Sequence, residues 1–212
     1  MTNKKIRVFL SRPNPFTENQ NLFIKELIKF LRQHNIECVT LQAAEYTPYE
    51  VMNSLSEMIQ RSYGIIIVAF GQTFISSGTR KMGAEDNPDF FASKETHLKN
   101  KWVTSVYCHI EGILALTYNL PMLSIPQENL TEEGILALTY NLPMLSIPQE
   151  NLTEEGILKK GEYSITSPEF SLETKENILM YLQSEGFQKS FHAWKNLLDD
   201  KYNFIKGGEI NY

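Results

Sequence analysis

The stretch Gly64-Ile65-Ile66-Ile67-Val68-Ala69-Phe70 decides the fold. A strand with one wet face alternates apolar and polar residues, whereas an unbroken apolar run after a glycine belongs to a strand buried on both faces of a parallel sheet. On its N-terminal side, Ile6-Arg7-Val8-Phe9-Leu10 reads as a first strand, ended by the turn-rich Ser11-Arg12-Pro13-Asn14-Pro15. Thr17 with Gln20 three residues on has capping-box spacing, and Phe23, Leu27, Phe30 and Leu31 follow at helical intervals. Asn35 is the stop, and Ile36 to Leu41 is a second strand. Thr47-Pro48 opens a second helix with Val51, Leu55 and Ile59 on one stripe.

On the C-terminal side, Gly71 to Lys101 is polar and too long for an ordinary connection, so it is expected to be a functional lid or partly mobile. A helix pattern returns from about Thr104 to Asn119, and Pro121-Met122-Leu123-Ser124-Ile125-Pro126 is the next strand. Strands alternating with helices predict an α/β fold of βαβ units, with a parallel sheet between helices and right-handed crossovers. Residues 1–212 are expected to form one such domain, ending in a helical segment over about 171–205. There Phe187, Phe191, Trp194 and Leu198 make an aromatic stripe, expected to pack on the sheet.

One segment is doubled. Residues 111–132, EGILALTYNLPMLSIPQENLTE, recur letter for letter as 133–154. A solenoid has three or more diverged units, and this is a single perfect copy. Glu155-Gly156-Ile157-Leu158 repeats the opening tetrapeptide, as slippage between two such coding stretches would leave it. The expected parent lacks one copy. Because the first copy continues the helix that begins near Thr104, it is assigned the native place in the sheet.

Composition narrows the function. A chain of 212 residues with 42% hydrophobic and 21% charged residues can bury a full core. Its net charge of −5 provides no basic footprint for nucleic acid, and Arg80-Lys81 is too small a cluster to serve as one. Cys38 and Cys108 form no metal-ligand spacing and read as reduced, structural residues. No signal-peptide pattern follows Met1, and no apolar run approaches the ~20 residues a membrane helix needs. A cytoplasmic location, no membrane partner, no metal and no cofactor are therefore expected.

In an open parallel sheet, ligands bind beyond the carboxyl ends of the strands where the order reverses. Ser11 to Phe16, Ala43 to Tyr49, and Gly71-Gln72 meet that criterion. Glu111 lies on the helix that follows, with Tyr107 at i−4, Gly112 beside it and Ala115 at i+4, which leaves room for a ligand to approach its carboxyl. A helix glutamate is ordinarily solvated, and its immediate neighbours alone do not overturn that. His109 is two residues from Glu111 and is read as structural, and His34, His97 and His192 form no set. Ser76-Ser77-Gly78 is no nucleophile elbow, and no phosphate loop ending in Gly-Lys occurs.

The run Trp102-Val103-Thr104-Ser105-Val106-Tyr107-Cys108-His109-Ile110-Glu111-Gly112-Ile113-Leu114-Ala115, followed by Leu120-Pro121-Met122-Leu123-Ser124-Ile125, resembles the Glu-x-x-x-Ala and Pro-hydrophobic signature of nucleoside 2-deoxyribosyltransferase-like and bacterial TIR-like domains. Val8-Phe9-Leu10-Ser11 and the strand at Ile65 to Phe70 fit the same plan, as does Glu155-Gly156-Ile157-Leu158 once one copy is removed. The resemblance spans roughly residues 5 to 165. It implies attack on an N-glycosidic bond, with NAD the leading substrate and Glu111 the carboxylate at the sugar. It further implies a three-layered, flavodoxin-like sheet, Arg12 at a charged group, and Phe16, Tyr46 and Tyr107 around the base. Ser11, Gly71 and Gln72 are candidate substrate contacts by their place after the strands, with Ser11 read first as a loop cap. A homo-oligomer would fit, since TIR-like domains often assemble before acting. The acidic residue often found before the third strand is replaced by Ser62-Tyr63-Gly64, and the second carboxylate of a transferase has only Glu45 and Asp86 as candidates. Alternatives of the same fold are a non-catalytic nucleotide sensor, a protein-interaction module and a deoxyribosyltransferase.

Overall fold

The computed structural model describes residues 5–41, 48–85, 87, 89, 94–130 and 164–208. Within them, strands β1 (Ile6–Ser11), β2 (Ile36–Val39), β3 (Gly64–Ala69), β6 (Met122–Pro126) and β7 (Ser164–Thr166) form one parallel sheet in the order β2-β1-β3-β6-β7. That is the flavodoxin-like doubly wound order. The chain turns from β1 outward to β2, then returns to place β3 on the other side of β1, so the order reverses between β1 and β3. Every residue of β3 is buried, as its unbroken apolar run requires.

Two helical layers cover the sheet. On one face lie α1 (Glu18–Gln33), α4 (Lys175–Gln183) and α5 (Glu185–Gly208). Thr17 caps α1 with its Oγ1 accepting from the Gln20 amide at 3.1 Å, while the Gln20 side chain accepts from the Phe16 amide at 2.9 Å. The reciprocal cap satisfies two donors that a helix start leaves orphaned. Phe23, Leu27 and Leu31 turn inward to meet Phe70, Phe170, Phe187, Phe191 and Trp194. The aromatic stripe of α5 is thus core. Gly64 permits the close approach: a Cβ there would stand 2.8 Å from Leu198 Cδ1 and 3.1 Å from the Pro121 carbonyl. That carbonyl also accepts from Trp194 Nε1 at 3.1 Å.

The opposite face is covered by α2 (Pro48–Gln60) and α3 (Val106–Thr117). Ser105 caps α3 through the Tyr107 amide, and Asn119 at φ 50° with Pro121 beyond ends it. The long segment after β3 is a two-stranded antiparallel ribbon, β4 (Thr73–Arg80) against β5 (Thr96–Val103). Its mostly exposed strands carry no apolar alternation, which is why the sequence reads there as a lid or mobile connection. Among the described residues, no helix is long and apolar enough to cross a membrane. The second repeat copy, 133–154, and the tetrapeptide 155–158 lie outside the described residues; β6, from the first copy, pairs with β3.

Candidate active site around Glu111

Side chains alternate along a strand, so Ser11 points to the same face as Phe9, toward α3. Across the sheet Ser11 is in register with Ile67, and Ile67 with Ser124, which puts two hydroxyls and one isoleucine in a single row on this face. Both hydroxyls are sealed from solvent, Ser11 at 1% exposure and Ser124 at 0%. Among the described residues, neither Oγ has a hydrogen-bond partner, and neither does the buried Oγ1 of Thr104, just before α3.

Helix α3 packs against β1, β3, β6 and α2, turning Cys108, Glu111, Gly112 and Ala115 inward. Glu111 is therefore no solvated helix glutamate: it is 9% exposed. Burial favours its neutral form and pushes the carboxyl up to about 7, while the nearby Ser11 hydroxyl pulls the other way. That approach falls short of a formed hydrogen bond, since Ser11 Oγ has no partner of acceptable geometry. Cys108, one turn before, is raised to about 12 by burial first and then by the Glu111 charge, with Ser11 and Thr104 opposing. Four polar side chains, Ser11, Thr104, Cys108 and Glu111, thus share one buried patch at the carboxyl end of β1.

The other expected residues distribute around this patch. Arg12, next to Ser11, is half-buried; its Nε has no partner, and its NH1 reaches only the Pro13 carbonyl at 3.3 Å. It makes no ion pair among the described residues, and burial lowers its pKa. With Pro15, Phe16, Thr17, Glu18, Asn21 and Ile24 it lines an open hollow of about 490 Å³ that does not include Glu111. Phe16 and Tyr107 are exposed, as a stacking platform must be before a ligand arrives. Gln72 is exposed too, its amide donating to the Val103 carbonyl at 2.8 Å.

Gly71 packs closely: a Cβ there would stand 2.6 Å from the Trp102 indole, and its amide donates to Gln127 Oε1 at 3.0 Å. Tyr46, Glu45 and Asp86 lie outside the described residues. His109 is half-buried with an unpartnered Nδ1, and burial lowers its pKa toward the neutral ring. Sequence reasoning misses Thr104 and Ser124, although one signal is available: Ser124 is a lone polar residue in an apolar strand, at a core-facing position. Among the described residues, no three metal-ligating side chains converge.

No protein-family model matches the chain, and no curated protein sequence does. Among solved structures, the chain is similar to a conserved protein from Enterococcus faecalis V583, at 10% identity and a TM-score of 0.37, over 58% of this chain and 65% of that one. The match therefore spans less than two thirds of that relative. It is also similar to the Clostridium botulinum CMP N-glycosidase BcmB, at 15% identity and a TM-score of 0.38, over 62% of this chain and 79% of that one.

Proposed function

We propose that the chain is a nucleotide-directed N-glycosidase, with NAD the leading substrate and Glu111 the carboxylate that meets C1′ of the sugar. The observation that carries this reading is a buried glutamate, its carboxyl held near neutrality, beside the end of β1 where the strand order reverses. Burying an isolated carboxylate is costly, and the cost is repaid when positive charge develops next to it. As the C1′–N bond breaks, its electron pair leaves with the base and the ribose becomes cationic. The Glu111 carboxylate offsets that charge, either through space or by forming an ester that water then opens. Water supplies the oxygen that ends on C1′ and releases a proton.

NAD is favoured over other nucleotides on chemical grounds. Its pyridinium accepts the departing electron pair and leaves as neutral nicotinamide, so no general acid is needed. A purine or pyrimidine leaves as an anion unless protonated, and among the described residues no second carboxyl perturbs Glu111. Deoxyribosyl transfer is less well supported for the same reason. Arg12 is assigned to a phosphate or carboxylate of the ligand, and Phe16 and Tyr107 to its base.

The test is nicotinamide release from NAD by the purified full chain, by Glu111→Gln, and by a chain lacking residues 133–154, with nucleoside monophosphates assayed in parallel. Release is expected to fall at least ~100-fold in Glu111→Gln. It should rise with pH through about 7 in the unaltered chain, because the ionised carboxyl is the working form. Release by the shortened chain alone would assign inactivity to the doubling. A second reading rests on the hollow at Arg12 and Phe16, which does not include Glu111: a nucleotide seated there would be sensed and not cleaved. Normal nucleotide binding with no base released by any of the three proteins would favour that sensor.

A further inference from the structure

We propose that Ser11 is a positioning residue for Glu111: its sealed hydroxyl is the donor that orients the carboxylate whenever Glu111 is ionised. This deepens the N-glycosidase reading and rests on it for the role of Glu111. The argument begins with hydrogen-bond satisfaction. Buried polar groups are paired in folded proteins, and an exception calls for a reason. Among the described residues, buried Gln20, Ser62 and Ser167 all have partners, and the unpartnered buried atoms outside the hydroxyls are nitrogens of Arg7, Arg12 and His109. The exceptions among buried hydroxyls are Ser11, Thr104 and Ser124, all on the α3 side of the sheet.

Of these three, Ser11 stands at the end of β1, where the order reverses, and its side chain faces α3 by strand alternation. Thr104 precedes α3 and acts on Cys108, one turn before Glu111, whereas Ser11 acts on both Cys108 and Glu111. Ser124 is two strands away from Ser11 along the row. Ser11 is thus the hydroxyl placed to serve Glu111. An unpaired donor lies beside a buried carboxyl on the same side of the sheet. Such a pair costs stability while the carboxyl is protonated, and closes when the carboxyl ionises, because a charged acceptor gains more from the donor than a neutral one.

Of the other ionisable groups described around α3, Cys108 meets the same hydroxyl and the Glu111 charge. Strands β3 and β6 carry none. From β1 come Arg7, near its far end, and Arg12, just past its last residue. Helix α2 contributes Glu50, which has its own contacts, and Glu57, which pairs with Arg61 at 3.5 Å. On α3 itself, Cys108 stays a neutral thiol and His109 is held toward its neutral form.

Two titrations of the full chain test the proposal. The first needs no activity: urea unfolding from pH 5 to 9 for the unaltered chain, Ser11→Ala, Glu111→Gln and the double variant. The stability difference made by Glu111→Gln should titrate near 7 when Ser11 is kept, and roughly one pH unit higher when it is made in the Ser11→Ala chain. The second is the pH profile of base release, whose acidic limb should move up by the same interval in Ser11→Ala. Ser11→Thr, which keeps the hydroxyl, should return both midpoints to the unaltered value. An unmoved midpoint in Ser11→Ala, or a Ser11→Thr chain shifted as far as Ser11→Ala, overturns the proposal. Shifted unfolding midpoints with no base released by any chain would sink the glycosidase reading and leave the Ser11–Glu111 pair standing.

Discussion

On the sheet face covered by α1, α4 and α5, polar groups are settled. Tyr181 and Ser167 bond each other at 2.7 Å, Trp194 Nε1 meets the Pro121 carbonyl, and Gln20 closes the cap of α1. The strands of the opposite face also present Phe9, Ile65, Ile67 and Met122 to their helices, yet among the described residues Ser11, Thr104 and Ser124 stand unpartnered under the first half of α3, around a buried carboxyl. The deficit is local, because at the far end of the same helix Tyr118 bonds Ser56 at 2.6 Å. One face is thus organised for stability. The other gives stability away at one place, the pattern expected of a site that works on a ligand.

The comparison can be broken at its strongest point first. Trp194→Ala removes the largest fully buried side chain from the settled face and should cost about 3–5 kcal/mol, read as a lowered urea midpoint. A loss below about 1 kcal/mol would mean that this face is not the source of stability. Glu111→Gln should act in the opposite direction. Below pH 4.5 the carboxyl is protonated both folded and unfolded, so the substitution changes little there. Between 4.5 and about 7 the unfolded chain releases the proton while the folded chain holds it, and stability falls as pH rises. Above 7 the full penalty, about 3 kcal/mol, is present, so Glu111→Gln should stabilise the chain by about that much at pH 8.5. A difference that stays flat with pH would contradict a buried, perturbed carboxyl. The smallest effect is expected at Thr17→Ala, which opens the α1 cap on the settled face for about 1 kcal/mol, read as a lowered urea midpoint. An unmoved midpoint would mean that the Gln20 side chain holds the start of α1 without it.

Much of this fold is legible in the sequence, for local reasons. The β3 run, the Thr17–Gln20 cap and the aromatic stripe of α5 each carry their signal within a few residues. The ribbon is not legible: Ser76-Ser77-Gly78 and Lys99-Asn100-Lys101 sit in strands that are largely exposed, so no apolar period marks them. At the site, Glu111 and Ser11 stand out in the sequence, but the burial of one and the unpaired hydroxyl of the other depend on how α3 lies across β1, which no local pattern encodes. The packing of Trp102 against Gly71 is equally hidden from the sequence, since the two lie 31 residues apart.

The parallel pairing of β7 with β6 has a consequence for the doubled segment. The connection from Gln127 to Tyr163 has 37 residues, and removing one copy of 22 would leave 15. A crossover between parallel neighbours needs a dozen or so, so either length can close. Counted purely as chain length, the entropic difference between the two closures is under ~1 kcal/mol. The duplication thus occurs at a place where chain polymer statistics make added length nearly free, and the same connection is where a label, a tag or a whole domain could be spliced in without disturbing the strands on either side.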